Sequence, residues 1–199
     1  IVYDNLVAPA ILDLVRPQVE RIYVGKQRGD HALAQEEINH LLVRLARAGR
    51  RVVRLKGGDP FTFGRGGEEV ETLAADGIPF EVVPGITAAA GVAAYAGIPL
   101  THREHAQACV FVTGHLKDGS MDLDWPGLAR RRQTVVIYMG VGSAAHIQHE
   151  LLSSLPGGTP VAIIENASLP SQRHAVGTLD QLAATIDAAG LGSPSIIVV

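Results

Sequence analysis

The stretch of sequence that decides the fold is residues 54–69, RLKGGDPFTFGRGGEE. It overlaps the end of an apolar, β-branched run at 51–55 that predicts a strand. Glycines at the carboxyl end of a parallel strand let the backbone approach a ligand without a Cβ in the way, and α/β sheets bind cofactors at that edge. An isolated Gly-Asp-Pro fits an ordinary turn equally well, because Pro60 fixes its φ. The longer motif favours a ligand loop in an α/β protein.

The residue types in this loop favour a nucleoside ligand without phosphates. Asp59 would offer a carboxylate to a ribose hydroxyl or to an amino group. The loop lacks the Gly-Lys-Ser/Thr ending of a phosphate-binding loop, and its spacing does not match the Gly-x-Gly-x-x-Gly fingerprint of dinucleotide sites. We therefore expect no phosphate contacts here.

A second motif, VVPGITAAAGVAA at 82–94, is typical of a strand end, a Pro-Gly turn and a helix of small residues. Thr87 is placed to cap that helix, and small side chains let a helix pack closely on a sheet. Close packing is compatible with Thr87 and Ala88 contacting a ligand from the helix start. In a third motif, Tyr138 and Met139 end a strand before a glycine, and taken alone they are typical of core residues.

Short apolar runs alternate with helix-length segments along the chain. The runs predict strands at 21–24, 51–55, 80–83, 108–112, 134–139, 161–165 and 195–199, and the longest periodic segments predict helices at 34–48 and 68–75. Such alternation predicts an α/β fold with largely parallel sheets. A Pro-containing turn and a polar run at 97–107 separate two halves, so we expect domains at 1–102 and 103–199.

The composition excludes several classes of protein. The 199 residues are 47% apolar and include 22 Gly and 11 Pro, and 17 basic against 20 acidic residues give a net charge of −3. No run of like charge is long enough to bind a nucleic-acid backbone. No apolar stretch reaches the about 18 residues of a membrane-spanning helix, and no signal peptide is visible. We expect a cytoplasmic protein with neither nucleic acid nor membrane as a partner.

The cysteine and the histidines do not predict a thiol or metal site. Cys109 lies inside an apolar run, where a small core side chain is expected. His102 with His105, and His146 with His149, have i,i+3 spacing but no carboxylate or thiolate partner at a recognisable ligand spacing. We therefore expect no bound metal ion.

A series of motifs occurs along the chain in a familiar order. They are YDxLV at 3–7, VGK at 24–26, QEEIN at 35–39, GGDPFTFGRGGEE at 57–69, VVPGITAA at 82–89, GIPLTHR at 97–103, TGH at 113–115, YMG at 138–140 and EN at 165–166. With these motifs the chain resembles the uroporphyrinogen-III C-methyltransferases of the tetrapyrrole methylase family over nearly its whole length. Its strongest likeness is to the methyltransferase half of siroheme synthases.

The resemblance implies a two-domain tetrapyrrole methylase fold, in which each domain is a mostly parallel or mixed sheet flanked by helices. Members of the family bind S-adenosylmethionine in the cleft between the domains, release S-adenosylhomocysteine and are usually homodimers. Carried over to this sequence, cofactor contacts are expected at Gly57, Gly58, Asp59, Thr62, Thr87, Ala88, Met139 and the backbone of Ala167. Relatives commonly have glycine at the position of Ala167.

The resemblance also implies a reaction and its catalytic residues. Methyl groups are transferred to C2 and C7 of uroporphyrinogen III, giving precorrin-2 for siroheme or cobalamin biosynthesis. Asp4 matches the proposed proton acceptor of the family, and Lys26 matches the proposed donor. Arg65, Glu68 and Arg103 match residues that hold or deprotonate the tetrapyrrole, and guanidinium groups suit its carboxylates.

Alternatives to this function stay open. A sister methyltransferase that acts on a later precorrin would share most of the motifs, and more remote relatives modify an rRNA ribose or a diphthamide precursor. The GRGGEE and THR motifs speak against these enzymes. A protein of a different class, a cofactor-binding or dimer-forming fragment without turnover, is a further alternative.

Both ends of the sequence have the character of strand interiors. The chain opens with Ile1-Val2-Tyr3-Asp4 and no initiator methionine, and it stops within an apolar run at 196–199. We expect truncation at both ends. The resemblance then implies that the family's first strand and its Gly-Ala-Gly-Pro-Gly-Asp loop precede residue 1.

Overall fold

The computed structural model describes residues 1–25, 33–114 and 121–199. These residues form two compact units, Ile1–Thr87 and Ala88–Val199. The second unit begins with a helix of small residues that packs on its sheet. The domain boundary that the sequence predicts after residue 102 stays a prediction.

The first unit is a small parallel sheet with helices. Its elements are, in chain order, β1 (Val2–Tyr3), α1 (Pro9–Leu12), β2 (Ile22–Tyr23), α2 (Gln35–Arg47), β3 (Arg54–Leu55) and α3 (Gly66–Ala75). The strands pair in the order β2-β1-β3, all parallel, with Val2 beside both Ile22 and Arg54. Their carboxyl ends therefore lie at one edge of the sheet, where α/β proteins carry their ligand loops.

Helices α2 and α3 confirm the two helices predicted from periodicity, and they pack against each other. The buried residues Ile38 and Leu42 of α2 lie one turn apart and pack with Val2 in the core of the first unit. The first turn of α2 is completed by Glu37, whose carboxylate accepts the N–H of Ala34 at 2.7 Å.

The strand predicted at 80–83 is wrong. Among the residues that the structure describes, no strand pairs with this segment. Phe80 and Val83 are 44% and 80% exposed, so the segment lacks the two buried faces of a central parallel strand. It runs as irregular backbone from α3 to the Pro-Gly turn.

The second unit is a mixed sheet covered by helices. Its elements are α4 (Ala88–Ala96), β4 (Ala108–Thr113), α5 (Trp125–Leu128), β5 (Gln133–Tyr138), α6 (Ala144–Leu152), β6 (Pro160–Glu165), β7 (Arg173–Thr178), α7 (Leu182–Ala189) and β8 (Ser195–Val198). The strand order is β4-β5-β8-β6-β7, in which β4 and β5 are parallel and the other neighbouring pairs are antiparallel. Four predicted strands are confirmed, and β7 was missed because RHAVGT contains no apolar run. The prediction of a largely parallel sheet is wrong for this unit, because only β4 and β5 pair in parallel.

Both faces of this sheet are buried. Val135 and Ile137 of β5 pack on one face with α6 and α7, whereas Val136 and Tyr138 pack on the other face with α4. Near-continuous apolar strands are expected where helices cover both faces. Because β5 and β6 are each antiparallel to β8, they run in the same direction, and their carboxyl ends lie at the same edge as that of β4.

A buried carboxylate fastens β6 to its neighbours. Glu165 Oε1 accepts the N–H of Gly192 at 2.9 Å, and Oε2 accepts N–H groups of Arg173 at 2.7 and 2.6 Å. The hydrogen bond from Gly192, and after it those from Arg173, lower the pKa of the Glu165 carboxyl below its ordinary value. Arg173 also donates to the carbonyl oxygens of Ala189 and Gly190, so this cluster joins β6, β7 and the end of α7.

Candidate cofactor and substrate site

Two glycine loops meet beside the carboxyl edge of the first sheet. The loop after β3 carries Gly57, Gly58 and Asp59, and the loop before α4 carries Gly85. A Cβ at Gly85 would lie 2.2 Å from the carbonyl oxygen of Gly58, so this approach requires glycine. The Gly85 N–H donates to Asp59 Oδ2 at 3.0 Å, which fixes the two loops to each other.

Asp59 organises its own loop as well. Its Oδ1 accepts the N–H of Phe61 at 2.9 Å and the hydroxyl of Thr62 at 3.3 Å. The hydrogen bond from Gly85, followed by that from Phe61, lowers the pKa of the Asp59 carboxyl below its ordinary value, so the group is an anion near neutral pH. Because an ionised carboxylate has about four acceptor positions, Oδ2 can accept a second donor from a ribose or an amino group.

Backbone and apolar side chains surround these residues. A Cβ at Gly57 would lie 2.7 Å from the carbonyl oxygen of Leu6, and Gly66 N–H closes the turn by donating to Pro60 O at 2.9 Å. Leu6 and Phe61 are 61% and 57% exposed. An exposed glycine backbone flanked by apolar side chains suits a ligand with a flat apolar part, such as a nucleobase.

The predicted substrate residues Arg65 and Glu68 form a bidentate ion pair. Arg65 Nε and Nη2 donate to Glu68 Oε1 and Oε2 at 2.7 and 2.6 Å, and both side chains are about half exposed. These hydrogen bonds raise the pKa of the Arg65 guanidinium above its ordinary value. Arg65 has a φ of 57°, in the left-handed region that few non-glycine residues adopt.

Asp4, the predicted proton acceptor, belongs to a charged network that sequence reasoning missed. It follows β1 directly, and its Oδ1 accepts the N–H of Leu6 at 3.0 Å while Oδ2 accepts Arg54 Nη2 at 2.8 Å. Arg54 Nε and Lys56 Nζ both donate to Glu69 Oε1 at 3.1 Å. The one available signal was the i,i+2 spacing of Arg54 and Lys56, which puts two cations on the same side of an extended backbone.

Three predicted residues of the second unit lie near the carboxyl edge of its sheet. Met139 follows β5, is 50% exposed and has a φ of 55°, and Ala167 follows β6. The hydroxyl of Tyr138 accepts the N–H of Ala89 at 2.8 Å, which places the start of α4, and with it Ala88, beside the end of β5. Tyr138 is buried, which confirms the prediction of a core residue, and its hydroxyl also holds this helix start. The same prediction is wrong for Met139, which lies beyond the strand end and is half exposed.

Arg103 lies in an exposed loop closed by a bridge between His102 and Ala106. This loop brings ligand atoms of His102, Glu104 and His105 within 4.8 Å of one another, a carboxylate partner that the spacing had not indicated. His102 Nδ1 accepts the N–H of Glu104 at 3.2 Å, so the proton of a neutral ring lies on Nε2 and neither nitrogen of that tautomer offers a free lone pair. The geometry therefore argues against this cluster as a metal site.

The predicted site residues are divided between the two units. The first unit carries Asp4, Gly57, Gly58, Asp59, Thr62, Arg65, Glu68 and Thr87, and the second carries Ala88, Arg103, Met139 and Ala167. Lys26 lies outside the described residues. Cys109 is half-buried against the second core, where burial raises the pKa of its thiol, and this confirms the prediction of a core side chain.

The fold and the loops define a class: an α/β protein with a paired glycine loop suited to a nucleoside. Within the described residues, no helix is long and apolar enough to cross a membrane. The sequence model of the Tetrapyrrole (Corrin/Porphyrin) Methylases matches residues 1–183, and the chain belongs to this family.

Similar proteins of known sequence are siroheme synthases. Those of Nitrosospira multiformis and Azotobacter vinelandii are 58% and 59% identical over 200 aligned residues, which cover 100% of this chain. The chain spans 42% and 43% of the length of these two relatives.

Similar solved structures include a uroporphyrin-III C-methyltransferase from Thermus thermophilus in complex with S-adenosylhomocysteine. It is 41% identical with a TM-score of 0.83, and the match covers 99% of this chain and 83% of that one. A cobalt precorrin-4 methyltransferase shares the fold at 22% identity, with a TM-score of 0.85 and coverage of 99% and 82%.

Proposed function

We infer that this chain is an S-adenosylmethionine-dependent methyltransferase that acts on C2 and C7 of uroporphyrinogen III and gives precorrin-2. The observation that carries the proposal is the pair of glycine loops joined by Asp59, a nucleoside-type site. It is supported by the 41% identity to a uroporphyrin-III C-methyltransferase that binds S-adenosylhomocysteine. Similarity to siroheme synthases supports a role in siroheme biosynthesis.

The residues present suit the cofactor. Gly57 and Gly58 are exposed, so a ligand can lie directly on their backbone, and Asp59 can accept ribose hydroxyls through Oδ2. In the second unit, Met139 offers an exposed thioether, and Ala88 and Ala167 offer backbone groups. The proposal is that residues of both units contact the cofactor.

The protein has to position the cofactor relative to the substrate. When bound, S-adenosylmethionine supplies an electrophilic methyl group on its sulfonium centre. The loops at Gly58 and Gly85 have to hold the nucleoside in one orientation, so that a pyrrole carbon can be aligned with that methyl group. The Asp59 hydrogen bonds and the close glycine contact provide this rigidity.

Cationic side chains suit a substrate rich in carboxylates. Arg65 and Arg103 are exposed, and guanidinium groups bind carboxylates through two parallel hydrogen bonds. Arg65 already makes such a pair with Glu68, so a substrate carboxylate would replace Glu68 as its partner. This exchange gives Glu68 a role in keeping Arg65 oriented before the substrate binds.

Methylation at a ring carbon requires the removal of a proton as conjugation shifts, and a carboxylate at the sheet edge can accept it. Asp4 is the proposed acceptor, because both its oxygens are oriented by hydrogen bonds while its side chain is 23% exposed. Lys26 remains the proposed donor on the basis of the family resemblance. The homodimer, the cytoplasmic setting and the absence of a bound metal likewise stay predictions.

The test combines binding with turnover. The purified chain is titrated calorimetrically with S-adenosylhomocysteine and then given anaerobic uroporphyrinogen III with S-adenosylmethionine, and the product is followed by absorbance and mass. We expect saturable binding and the stepwise gain of two methyl groups. Binding without a methylated product would instead favour a cofactor-binding fragment, and methylation of a later precorrin alone would favour a sister enzyme.

A further inference from the structure

Arg54 connects helix α3 to Asp4, and every nitrogen of its guanidinium group donates a hydrogen bond. Nη2 donates to Asp4 Oδ2 at 2.8 Å, Nε donates to Glu69 Oε1 at 3.1 Å, and Nη1 donates to the carbonyl oxygen of Leu55 at 2.8 Å. The side chain is only 12% exposed, and its planar fork fixes the directions of these bonds. The position of Asp4 Oδ2 is thus determined by an arginine that is itself held at two other points.

Glu69 anchors this arginine from α3. Its side chain is 5% exposed, and Oε1 accepts hydrogen bonds from Lys56 Nζ at 3.1 Å and from Gln35 Nε2 at 3.2 Å in addition to that from Arg54. The two carboxylates of Asp4 and Glu69 balance the two cations of Arg54 and Lys56. The cluster therefore carries no net charge, and each member restrains the next.

A cluster of this kind is a weak source of stability. Removing charged groups from water is costly, and replacing a buried ion pair with well-packed apolar side chains is often neutral or stabilising. Apolar residues at Arg54, Lys56 and Glu69 would let α3 pack on β3 without this desolvation. The charged cluster ends at Asp4, its most exposed acidic member, at the edge of the sheet where the ligand loops lie.

We propose that Arg54, anchored by Glu69, is a positioning residue that holds the Asp4 carboxylate in one orientation towards the substrate. The proposal rests on the proposed function, in which Asp4 accepts a proton. Arg54 on Oδ2 and the Leu6 N–H on Oδ1 prevent rotation of the carboxylate. Its unused acceptor positions then point in a fixed direction, which is what a proton acceptor needs.

The first experiment replaces the guanidinium group of Arg54 with an ammonium group, which keeps the charge. In Arg54→Lys, one ammonium group cannot reach Asp4, Glu69 and Leu55 O together, so we expect kcat to fall by about 100-fold, as misplacement of a reacting group does. The KM for S-adenosylmethionine and the affinity for S-adenosylhomocysteine should stay at their wild-type values. The control is Arg47→Lys, which changes an exposed ion pair with Asp76 in the same unit and should leave kcat unchanged.

A double-mutant cycle separates positioning from a general structural effect. If Arg54 acts through Asp4, Arg54→Lys lowers kcat in the wild type but has no further effect in an Asp4→Asn background. Equal losses in both backgrounds would overturn the proposal. Should Arg54→Lys fail to fold, Glu69→Gln enters the same cycle, because it weakens the anchor and keeps the shape.

A crystal structure of Arg54→Lys gives a readout that needs no turnover. We expect the Asp4 carboxylate to leave its position or to occupy more than one rotamer. A carboxylate that stays in place overturns the proposal, whatever the activity. A wild-type chain that binds S-adenosylhomocysteine but does not methylate uroporphyrinogen III would refute the proposed function, and the orientation of Asp4 would still decide the positioning role.

Discussion

Asp59 shows how much of this site depends on the charge of one residue. Its two oxygens accept hydrogen bonds from both glycine loops. The donors are the backbone N–H groups of Phe61 and Gly85 and the hydroxyl of Thr62. The same hydrogen bonds lower the pKa of the carboxyl, so the loop keeps its anion at neutral pH. A neutral side chain of the same shape would not serve, because it presents only one acceptor oxygen.

Asp59→Asn should therefore weaken cofactor binding without unfolding the chain. Its amide NH2 must face the N–H of either Gly85 or Phe61, which breaks the link between the loops or the turn of the Asp59 loop. We expect the affinity for S-adenosylhomocysteine to fall at least about tenfold. Calorimetric titration measures the loss. The control is Glu71→Gln, which removes an exposed charge from α3. Equal affinities of wild type and Asp59→Asn would show that the carboxylate does not shape the site.

At the scale of residues, the sequence predicted the parts of the site whose residues are close together in the chain. Gly57, Gly58 and Asp59 are adjacent in the chain, so their common loop could be predicted from their order alone. The link between Arg54 and Glu69 depends on the angle at which α3 crosses β3, which no local pattern specifies. The charged network around Arg54 was therefore missed, although each of its members could be recognised in the sequence as a charged residue.

At the scale of elements, the contact between the two glycine loops leaves the least room for a substitution. Gly85→Ala would put a methyl group 2.2 Å from the carbonyl oxygen of Gly58. Because that oxygen belongs to the backbone, it cannot rotate away, and the loops must separate. We expect the affinity of Gly85→Ala for S-adenosylhomocysteine to fall by more than about tenfold, since the Gly85–Asp59 hydrogen bond is lost as well.

Gly67→Ala is the matched control for this substitution. A Cβ at Gly67 meets no atom within 4 Å, and the residue lies in α3, where alanine is the better helix former. Its affinity should stay at the wild-type value, and its free energy of unfolding should rise by up to about 1 kcal/mol. If both variants bind as the wild type does, the close approach of the loops has no role in binding.

The Glu165 cluster makes the second unit sensitive to acid. Because the folded pKa of Glu165 is lowered, its hydrogen bonds stabilise the fold above the ordinary pKa of 4.5, and this stabilisation is lost as the pH falls through the folded pKa. Glu165→Gln should lower the thermal midpoint at neutral pH and flatten its dependence on pH below 4.5. Fluorescence of Trp125, the one tryptophan, reports this unit because it is buried in its core.

The control for Glu165→Gln is Asp187→Asn, an exposed acid on α7. Its thermal midpoint should follow the wild-type curve at every pH. Parallel curves for Glu165→Gln and the wild type below pH 4.5 would mean that Glu165 does not cause the acid sensitivity.

For the whole molecule, the hydrophobic pattern predicted the α/β architecture. It failed for features that depend on which segments pack together. The apolar runs of β5 and β6 identified a sheet buried on both faces, and the structure confirms it. The apolar residues at 80–83 gave the same signal, but within the described part of the chain no strand pairs with them. Strand order and direction depend on such partners, so the antiparallel placement of β8 between β5 and β6 could not be read from sequence.

The division of the proposed cofactor residues between two compact units leads to a prediction for the whole chain. If both units bind the cofactor, S-adenosylhomocysteine should slow amide hydrogen exchange at 57–62 and 85–87 in the first unit and at 138–140 and 166–168 in the second. Exchange in α7, which none of the proposed contacts includes, is the internal control. Protection confined to the first unit would refute the proposed contacts at Met139 and Ala167, because a ligand held by one unit has no reason to protect the strand ends of the other.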